Sequence, residues 1–257
     1  MKKLYKFLLN TLPRPLLIML SYVFKIFAPI AFYGDNVHCP VCERSFRKFL
    51  SYGSNKAHRE NVLCPYDLTL ERHRLMWLFL KSTNFFSEKK FKVLHIAPEQ
   101  CFFPIFKKQN NLEYTTADLE SPIADIHFDL HEIPLPDNSF DIIFCNHVLE
   151  HVEDDLKCIK ELYRVMNTNG WGIFQVPIDY NNSKTYEDKS ITDPKEREIH
   201  FWQKDHLRLY GTDYPKRLEE GGFKVEIFDP KESLKTINYE KLKLNPKELI
   251  FIARKNV

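Results

Sequence analysis

Residues 140–152 read FDIIFCNHVLEHV, an apolar run that stops where polar and ionisable side chains begin. A continuous run rich in Ile and Phe is typical of a strand that is buried on both faces of a parallel sheet. In open α/β sheets the ligand crevice lies just beyond the carboxyl ends of such strands. We therefore predict that Asn146 and His147, which follow the run directly, lie at the edge of a binding site.

Strand-like runs alternate with helical or loop segments on both sides of this stretch. The runs occupy residues 92–97, 112–118, 126–130, 140–146 and 171–177, and two more lie near 223–229 and 248–255. A helix is predicted over about 153–170, with an apolar stripe formed by Leu156, Ile159, Leu162, Tyr163 and Met166 and a stop at Asn169-Gly170. This alternation predicts a doubly wound, Rossmann-like α/β fold with a seven-stranded, mostly parallel sheet.

Carboxylates at two other strand ends are suited to a nucleoside. Asp118 ends the second run, beside Leu119, where a carboxylate can accept both ribose hydroxyls. Asp129 follows the third run and could bind an adenine amino group while Leu130 packs on the base. Each aspartate taken alone could instead be a turn residue or an N-cap. The prediction of a nucleoside site therefore depends on the three strand ends at Asp118, Asp129 and Asn146 lying side by side.

Residues 92–177 resemble the class I S-adenosylmethionine-dependent methyltransferases, in the broad group related to ubiquinone and menaquinone methyltransferases. The resemblance is carried by PLPDNSFDIIFCNHVLEHVEDD at 134–155 and ELYRVMNTNGWGIFQVP at 161–177. It implies a seven-stranded sheet with the methyl donor bound across the strand ends. The residues expected to contact S-adenosylmethionine are His95, Ala97, Pro98, Glu99, Asp118, Leu119, Asp129, Leu130, Asn146 and His147.

The loop after the first strand departs from that family's pattern. It reads VLHIAPEQC at 93–101, with Ala97, Glu99 and Cys101 where the family usually has glycines. Glycine there lets the backbone approach the cofactor without an intervening Cβ. We expect Pro98 still to fix a tight turn and Glu99 to pair with the ammonium group of the donor. The departure also supports an alternative, a methyltransferase fold that binds a partner without catalysing.

Three of the six cysteines have the spacing of metal ligands. Cys39-x2-Cys42 and Cys64-x2-Asp67 frame residues 43–63, which is close to the spacing of a zinc ribbon. We predict a small zinc-ribbon-like module at 37–70 that holds one structural zinc on these three cysteines and Asp67. His58 or His73 could supply the fourth ligand instead, and a module without metal is the other alternative. The stretch resembles a module that precedes the methyltransferase domain in some bacterial proteins, where a fourth cysteine is expected at 67.

The first 36 residues are basic and apolar. Arg14 and Pro15 interrupt the apolar region expected of a signal peptide, and Lys25 and Pro29 disfavour a helix that spans a membrane. We predict that residues 1–36 form an amphipathic segment, with residues 1–34 in peripheral contact with anionic lipid. A helix packed on the domain or on a second subunit is the alternative.

Residues 71–257 are predicted to form the methyltransferase domain, with a long polar insertion at about 179–211 that covers the acceptor. The candidates for its lining are Tyr186, Glu187, His200, Asp205, His206, Arg208 and Tyr210. Methyl transfer is an in-line displacement that needs alignment, plus a base if the acceptor carries a proton. His147 and His206 are the candidate bases.

Charge and cysteine usage limit the partners and the compartment. The 37 basic and 35 acidic residues nearly cancel, which gives no case for binding nucleic acid. Cysteines without a disulfide pattern indicate a reducing compartment. We therefore expect a cytoplasmic protein, at most peripheral to the inner face of the membrane, with a small-molecule or lipid-linked acceptor. The sequence leaves the oligomeric state open.

Overall fold

The structure is a computed structural model that describes residues 27–53 and 58–256, together with positions 12, 13, 16, 20 and 24. It divides into two units: Met1–Phe79 with Thr236–Pro246, and Leu80–Lys235 with Lys247–Val257. The first unit therefore includes residues 71–79 and 236–246, which the sequence analysis placed in the methyltransferase domain.

Thirteen strands and seven helices are named here within the described residues. The strands are β1 (Val37–Cys39), β2 (Arg44–Phe46), β3 (Leu50–Tyr52), β4 (Arg59–Leu63), β5 (Phe91–Ile96), β6 (Leu112–Asp118), β7 (Ile126–His127), β8 (Phe140–Cys145), β9 (Met166–Ile173), β10 (Tyr186–Glu187), β11 (Arg208–Leu209), β12 (Lys224–Phe228) and β13 (Ile250–Arg254). The helices are α1 (Glu71–Ser82), α2 (Phe103–Phe106), α3 (Asp155–Val165), α4 (Pro194–Phe201), α5 (Tyr214–Glu220), α6 (Pro230–Ser233) and α7 (Tyr239–Leu242).

Two small hairpins form the sheet structure of the first unit. β1 pairs with β2 and β3 pairs with β4, both antiparallel. Arg74 of α1 is fully buried and donates hydrogen bonds of 2.8–2.9 Å to four backbone carbonyls, those of Val62, Thr69, Leu242 and Lys243. Two of these carbonyls lie in residues 236–246, so Arg74 helps to join that distant segment to the first unit, as does the pair of Lys241 with Asp35.

The second unit is built on a seven-stranded sheet in the order β12-β13-β9-β8-β5-β6-β7. Strands β5 to β9 pair in parallel, while β13 runs antiparallel to both of its neighbours. The central strands β5 and β8 are almost wholly buried, as continuous apolar runs require. The predicted seven-stranded, mostly parallel Rossmann-like sheet is confirmed.

The boundaries differ from the prediction at two junctions. The helix predicted over 153–170 is α3, which ends at Val165, and Met166 already pairs with Phe140 as the first residue of β9. The fifth strand therefore starts and ends earlier than predicted. Asp154 caps α3, since its side chain accepts the backbone N–H of Lys157 at 2.9 Å. The third strand is also shorter than predicted, since β7 ends at His127.

The predicted N-terminal segment lies mostly outside the described residues. Within the part that is described, residues 27–31 are helical, and the side chains of Phe27, Ile30 and Tyr33 are exposed. Among the described residues, no helix has both the length and the apolar character needed to cross a bilayer.

Candidate functional site

Two non-glycine residues with left-handed backbone mark the carboxyl ends of the central strands. Ala97 follows β5 with φ +49° and His147 follows β8 with φ +56°. This conformation costs an L-residue about 1–2 kcal/mol, and such strain is concentrated at functional sites. Hydrogen bonds hold both positions, from Ala97 N–H to the Ala117 carbonyl at 2.8 Å and from His147 N–H to the Gln175 carbonyl at 2.7 Å.

Glu99 joins these two strand ends through its carboxylate. One oxygen is bonded to Nε2 of His95, and the other accepts the side-chain amide of Asn146 at 3.0 Å. Asn146 in turn accepts the backbone N–H of Gln175 at 3.2 Å. Four elements, β5, its following loop, β8 and the segment after β9, are therefore linked by one polar network.

His95 is buried and positions Glu99 from within the sheet. Its Nδ1 lies 2.7 Å from the hydroxyl of Tyr114, and its Nε2 contacts Glu99. Burial and the nearby Glu99 charge raise the pKa of Tyr114, so that the phenol is a proton donor. The assignment that satisfies all three groups has Tyr114 donating to Nδ1 and Nε2–H donating to Glu99.

Asp118 ends β6 and shapes the loop that follows. Its Oδ1 accepts the backbone N–H groups of Glu120 and Ser121 at 2.9 and 2.8 Å. Among the described residues its Oδ2 has no hydrogen-bond partner, which leaves it available for a ligand hydroxyl. Leu119 beside it is 64% exposed. Asp118 therefore does stabilise a turn, which was the alternative considered from the sequence. Its second carboxylate oxygen is still available to bind a ligand.

The structure does not join Asp129 and Leu130 to this network. Oδ1 of Asp129 accepts the backbone N–H and Nδ1 of His131, and these bonds hold the pKa of Asp129 below its ordinary value. Leu130 is buried in the apolar core. The contact of either residue with an adenine stays a prediction. Pro98 is buried in the loop after β5, and the tight turn expected there stays a prediction.

His147 and Glu150 form a dyad in the turn after β8. Nδ1 of His147 lies 3.2 Å from Oε1 of Glu150, whose side chain is 1% exposed. Burial raises the pKa of Glu150, but the hydrogen bond and charge of His147 outweigh it, with a net lowering of the pKa. Glu150 is therefore a carboxylate that orients the imidazole and leaves Nε2 of His147 as its basic nitrogen.

His206, the other predicted base, lies beside His151 rather than beside His147. The two rings meet edge to face with centroids 4.8 Å apart. Burial lowers the pKa of His206. Sequence reasoning did not select Glu150 and His151 as site residues, and both lie in the turn that precedes α3. The signal available was the His-x2-Glu-His spacing of 147–151.

The insertion returns to its starting point and is anchored by a buried arginine. Asp179 N–H donates to the Tyr210 carbonyl at 2.8 Å. Arg208, 1% exposed, donates to the carbonyls of Leu149, Val152 and Glu153 in the turn after β8.

Glu187 and Tyr210 share this anchoring role. Glu187 pairs with Arg208 and Arg217, and Tyr210 donates to Asp155. These predicted lining residues therefore hold the insertion in place.

The four predicted metal ligands lie together in the first unit. One ligand atom from each of Cys39, Cys42, Cys64 and Asp67 lies within 4.8 Å of the others. Cys39 is the last residue of β1, and its Sγ lies 3.1 Å from Oδ2 of Asp67. The Sγ atoms of Cys42 and Cys64 are 3.9 Å apart. Burial, with the charge of Cys39, raises the pKa of Asp67 to about 6. Three thiols and a buried carboxyl are a donor set that fits zinc.

Part of the second unit is similar to known methyltransferases. The family described as "Methyltransferase domain" matches residues 94–174. The demethylmenaquinone methyltransferase of Listeria monocytogenes serotype 4a (strain HCC23) is 39% identical over 56 residues, which are 22% of this chain and 23% of that protein. The match thus spans under a quarter of the length of that curated relative.

Two solved structures match the chain, one of them with a TM-score above 0.5. The (4+2)-cyclase SpnF matches over 93% of this chain and 96% of its own, with 12% identity and a TM-score of 0.52. A putative methyltransferase of Bacillus halodurans C-125 matches over 69% and 98%, with 18% identity and a TM-score of 0.42. The likeness to SpnF concerns the fold alone. Residues 94–174 are thus similar to the methyltransferase domain family, and they lie within the seven-stranded sheet described above.

Proposed function

We propose that the second unit transfers a methyl group from S-adenosylmethionine to a nucleophilic acceptor at the carboxyl ends of β5, β6 and β8. The observation that carries the proposal is the polar network through Glu99, which links His95 and Asn146 where the crevice of such sheets lies. When bound, S-adenosylmethionine supplies a methyl group on a positively charged sulfur. The atom that accepts the methyl is oxygen, nitrogen or carbon.

Two carboxylates are suited to hold the donor. Oδ2 of Asp118 is available for ribose hydroxyls, and Glu99 offers negative charge to an ammonium group. Glu99 is only 14% exposed and already has two partners, so an ammonium would join an existing network. Ala97 keeps the left-handed backbone that a glycine would adopt, with a Cβ added.

His147 is the base in this proposal where the acceptor is protonated. Glu150 accepts its Nδ1–H and so fixes the tautomer whose basic nitrogen is Nε2, a buried atom without a hydrogen-bond partner among the described residues. Burial of Glu150 strengthens this bond, because a desolvated carboxylate has few other partners. The remaining task of the protein is alignment, to which the insertion contributes through its anchoring at the turn after β8.

Calorimetric titration of the full chain tests donor binding. We expect S-adenosylmethionine and S-adenosylhomocysteine both to bind, and Asp118→Ala to weaken both by about 10-fold or more, since a charged hydrogen bond is lost. Glu113→Gln, on the exposed face of β6, is the matched control. Folded protein that binds neither ligand contradicts the proposal and leaves the non-catalytic alternative.

The first unit and the N-terminal segment have supporting roles in the proposal. A structural zinc on Cys39, Cys42, Cys64 and Asp67 would cross-link the two hairpins of the first unit. The basic, apolar residues 1–34 suit peripheral contact with anionic lipid in the cytoplasm, and a lipid-linked acceptor would suit that location. Co-sedimentation of the full chain with anionic but not with zwitterionic vesicles is the expected result, and equal pelleting with both contradicts it.

A further inference from the structure

Glu150, His151 and His206 form a second cluster of potential metal ligands, in the second unit. One ligand atom from each residue lies within 4.8 Å of the others. Glu150 and His206 are each 1% exposed, and the side chain of His151 is 34% exposed. A carboxylate and two imidazoles therefore meet at a place that is largely shielded from solvent but has one accessible side.

Both histidines have one ring nitrogen bonded to a backbone carbonyl. Nδ1 of His206 lies 2.8 Å from the Phe201 carbonyl, and Nδ1 of His151 lies 3.2 Å from the Asp205 carbonyl. A carbonyl only accepts, so each Nδ1 carries the proton and each Nε2 carries a lone pair. Metal-bound histidines usually have this arrangement, in which the second nitrogen donates to a carbonyl and fixes the ring.

Two buried polar atoms of the cluster lack a partner within the described chain. They are Oε2 of Glu150 and Nε2 of His206. A buried acceptor without a hydrogen bond costs about 1–3 kcal/mol, so such atoms are rare in folded proteins. Oε1 of Glu150 is already used by His147. Both unpartnered atoms are acceptors, so the ligand that satisfies them is either a metal cation or a water that donates two hydrogen bonds.

The scaffold holds the cluster in place. Leu207 N–H donates to the Glu150 carbonyl at 2.8 Å, next to the three carbonyls that Arg208 binds in the same turn. Glu150 and His206 therefore belong to two segments that are bonded to one another on both sides of the cluster. A site of this kind is preorganised, because little side-chain freedom remains to be lost on binding.

We infer that Glu150, His151 and His206 bind one divalent transition-metal ion, with both Nε2 atoms and Oε2 as ligands. Two imidazoles with one carboxylate suit Zn²⁺ or Fe²⁺, whereas Ca²⁺ and Mg²⁺ prefer oxygen ligands alone. Three protein ligands leave a position open for water or an oxygen of a substrate. The inference goes beyond methyl transfer and does not depend on it.

Cobalt(II) alone is the probe, because its absorption separates this site from the cysteine cluster. Thiolate ligands give an intense sulfur-to-cobalt charge-transfer band, while nitrogen and oxygen ligands give only d–d bands. The metal-free full chain carrying Cys39→Ser and Cys64→Ser is titrated first. We expect one equivalent of Co²⁺ with d–d bands and no charge-transfer band.

Single substitutions in that background locate the ion. We expect His206→Gln and His151→Gln each to weaken Co²⁺ binding by more than about 100-fold, since first ligands matter more than their supporting groups. His200→Gln, at the exposed end of α4 in the same insertion, is the matched control and keeps the full equivalent. Because His151 is partly exposed, its variant keeps the test valid if His206→Gln does not fold.

Two results overturn the inference. One is a folded Cys39→Ser/Cys64→Ser background that takes up no Co²⁺ at micromolar concentration. The other is a titration of His151→Gln that coincides with the titration of His200→Gln. Circular dichroism of each variant before titration establishes that the protein compared is folded.

Discussion

The side-chain amide of Asn146 donates a 3.0 Å hydrogen bond to Oε1 of Glu99, which joins the carboxyl end of β8 to the loop after β5. Oε2 of Glu99 is bonded to His95 on its other side. The carboxylate is thus held between two donors at the place where the family usually has glycine-rich backbone. In the proposed function, the charge of this carboxylate, and not an open glycine-rich loop, binds the ammonium group of the donor.

Glu99→Gln is expected to weaken S-adenosylmethionine binding by about 10- to 100-fold, the range for a hydrogen bond to a charged group. An amide has one acceptor oxygen, so its NH₂ would face either His95 Nε2–H or the Asn146 amide, both donors. Calorimetry measures the affinity, and Glu113→Gln on β6 is the control of equal chemistry. Equal affinities for these two variants would contradict a role for Glu99 in the donor site.

Ala97→Gly is expected to bind S-adenosylmethionine more tightly without loss of stability. Glycine removes about 1 kcal/mol of strain from the left-handed backbone of the folded state. It also increases the conformational entropy of the unfolded chain, which lowers stability by a similar amount. Removing the Cβ also lets a ligand approach the backbone. Ala117→Gly, in the extended strand β6, is the contrast and loses roughly 1 kcal/mol in urea unfolding. A similar loss for Ala97→Gly would mean that its backbone is not strained.

The sheet was predictable because its central strands are buried on both faces and so appear as uninterrupted apolar runs. The junction of α3 and β9 was not, since Val165 and Met166 are both buried and an apolar stripe does not reveal where the helix ends. The end is decided by the pairing of Met166 with Phe140. Local pattern cannot report a partner from another part of the chain.

The candidate site divides in the same way. Asn146 and His147 were predictable from their place after β8, and the cysteine cluster from its spacing. The partnership of Glu150 and His151 with His206 was not, because the Arg208 contacts that bring the insertion to the turn involve backbone carbonyls, which carry no side-chain signature. Residues 236–246 joined the first unit for the same reason.

Arg74→Met is expected to lower the free energy of unfolding by more than about 3 kcal/mol. Four backbone carbonyls lose their donor, two in buried and two in partly buried hydrogen bonds. An unsatisfied buried carbonyl costs about 1–3 kcal/mol, part of which the structure recovers by relaxing. Lysine cannot substitute, since its three donors do not match the planar fork. Chemical denaturation measures the loss. Arg59→Met, which removes a half-exposed pair with Glu71, should cost under about 1 kcal/mol. Similar losses in the two variants would contradict the role of Arg74.

Asp155→Asn is expected to destabilise the second unit by about 3–5 kcal/mol near neutral pH. It is also expected to make the fall in the free energy of unfolding at acid pH, the acid limb, less steep. Asp155 is 1% exposed and accepts Tyr210 and Arg217. Burial raises its pKa, but these donors outweigh burial, so the folded pKa lies below the ordinary 3.8.

The direction in which stability changes with pH follows from the difference between the folded and unfolded pKa values of Asp155. A lowered folded pKa gives stability that is complete above 3.8 and is lost as the pH falls through the folded value. Wild-type stability should therefore drop below about pH 4, and the drop should be shallower in Asp155→Asn. Urea unfolding between about pH 3 and 7 measures this, with exposed Glu113→Gln as control. An unchanged acid limb in Asp155→Asn would show that other carboxylates cause it.

Asp67→Cys is expected to bind zinc at least about 10-fold more tightly than the wild type while being less stable without metal. Thiolate is the ligand that structural zinc sites favour. Oδ1 of Asp67, however, accepts both the backbone N–H and the hydroxyl of Thr69, at 3.0 and 2.7 Å, and a thiolate would lose these bonds.

Competition with a chromophoric chelator measures the zinc affinity, in a His206→Gln background that removes the second proposed site. Asp67→Asn keeps an oxygen but loses the charge, so it should bind zinc more weakly than the wild type. If residue 67 is a ligand, zinc affinity must decrease in the order Asp67→Cys, wild type, Asp67→Asn. Only direct coordination makes a thiolate bind zinc better, and an amide worse, than a carboxylate. Equal affinities for the three proteins would mean that Cys39, Cys42 and Cys64 bind zinc without Asp67.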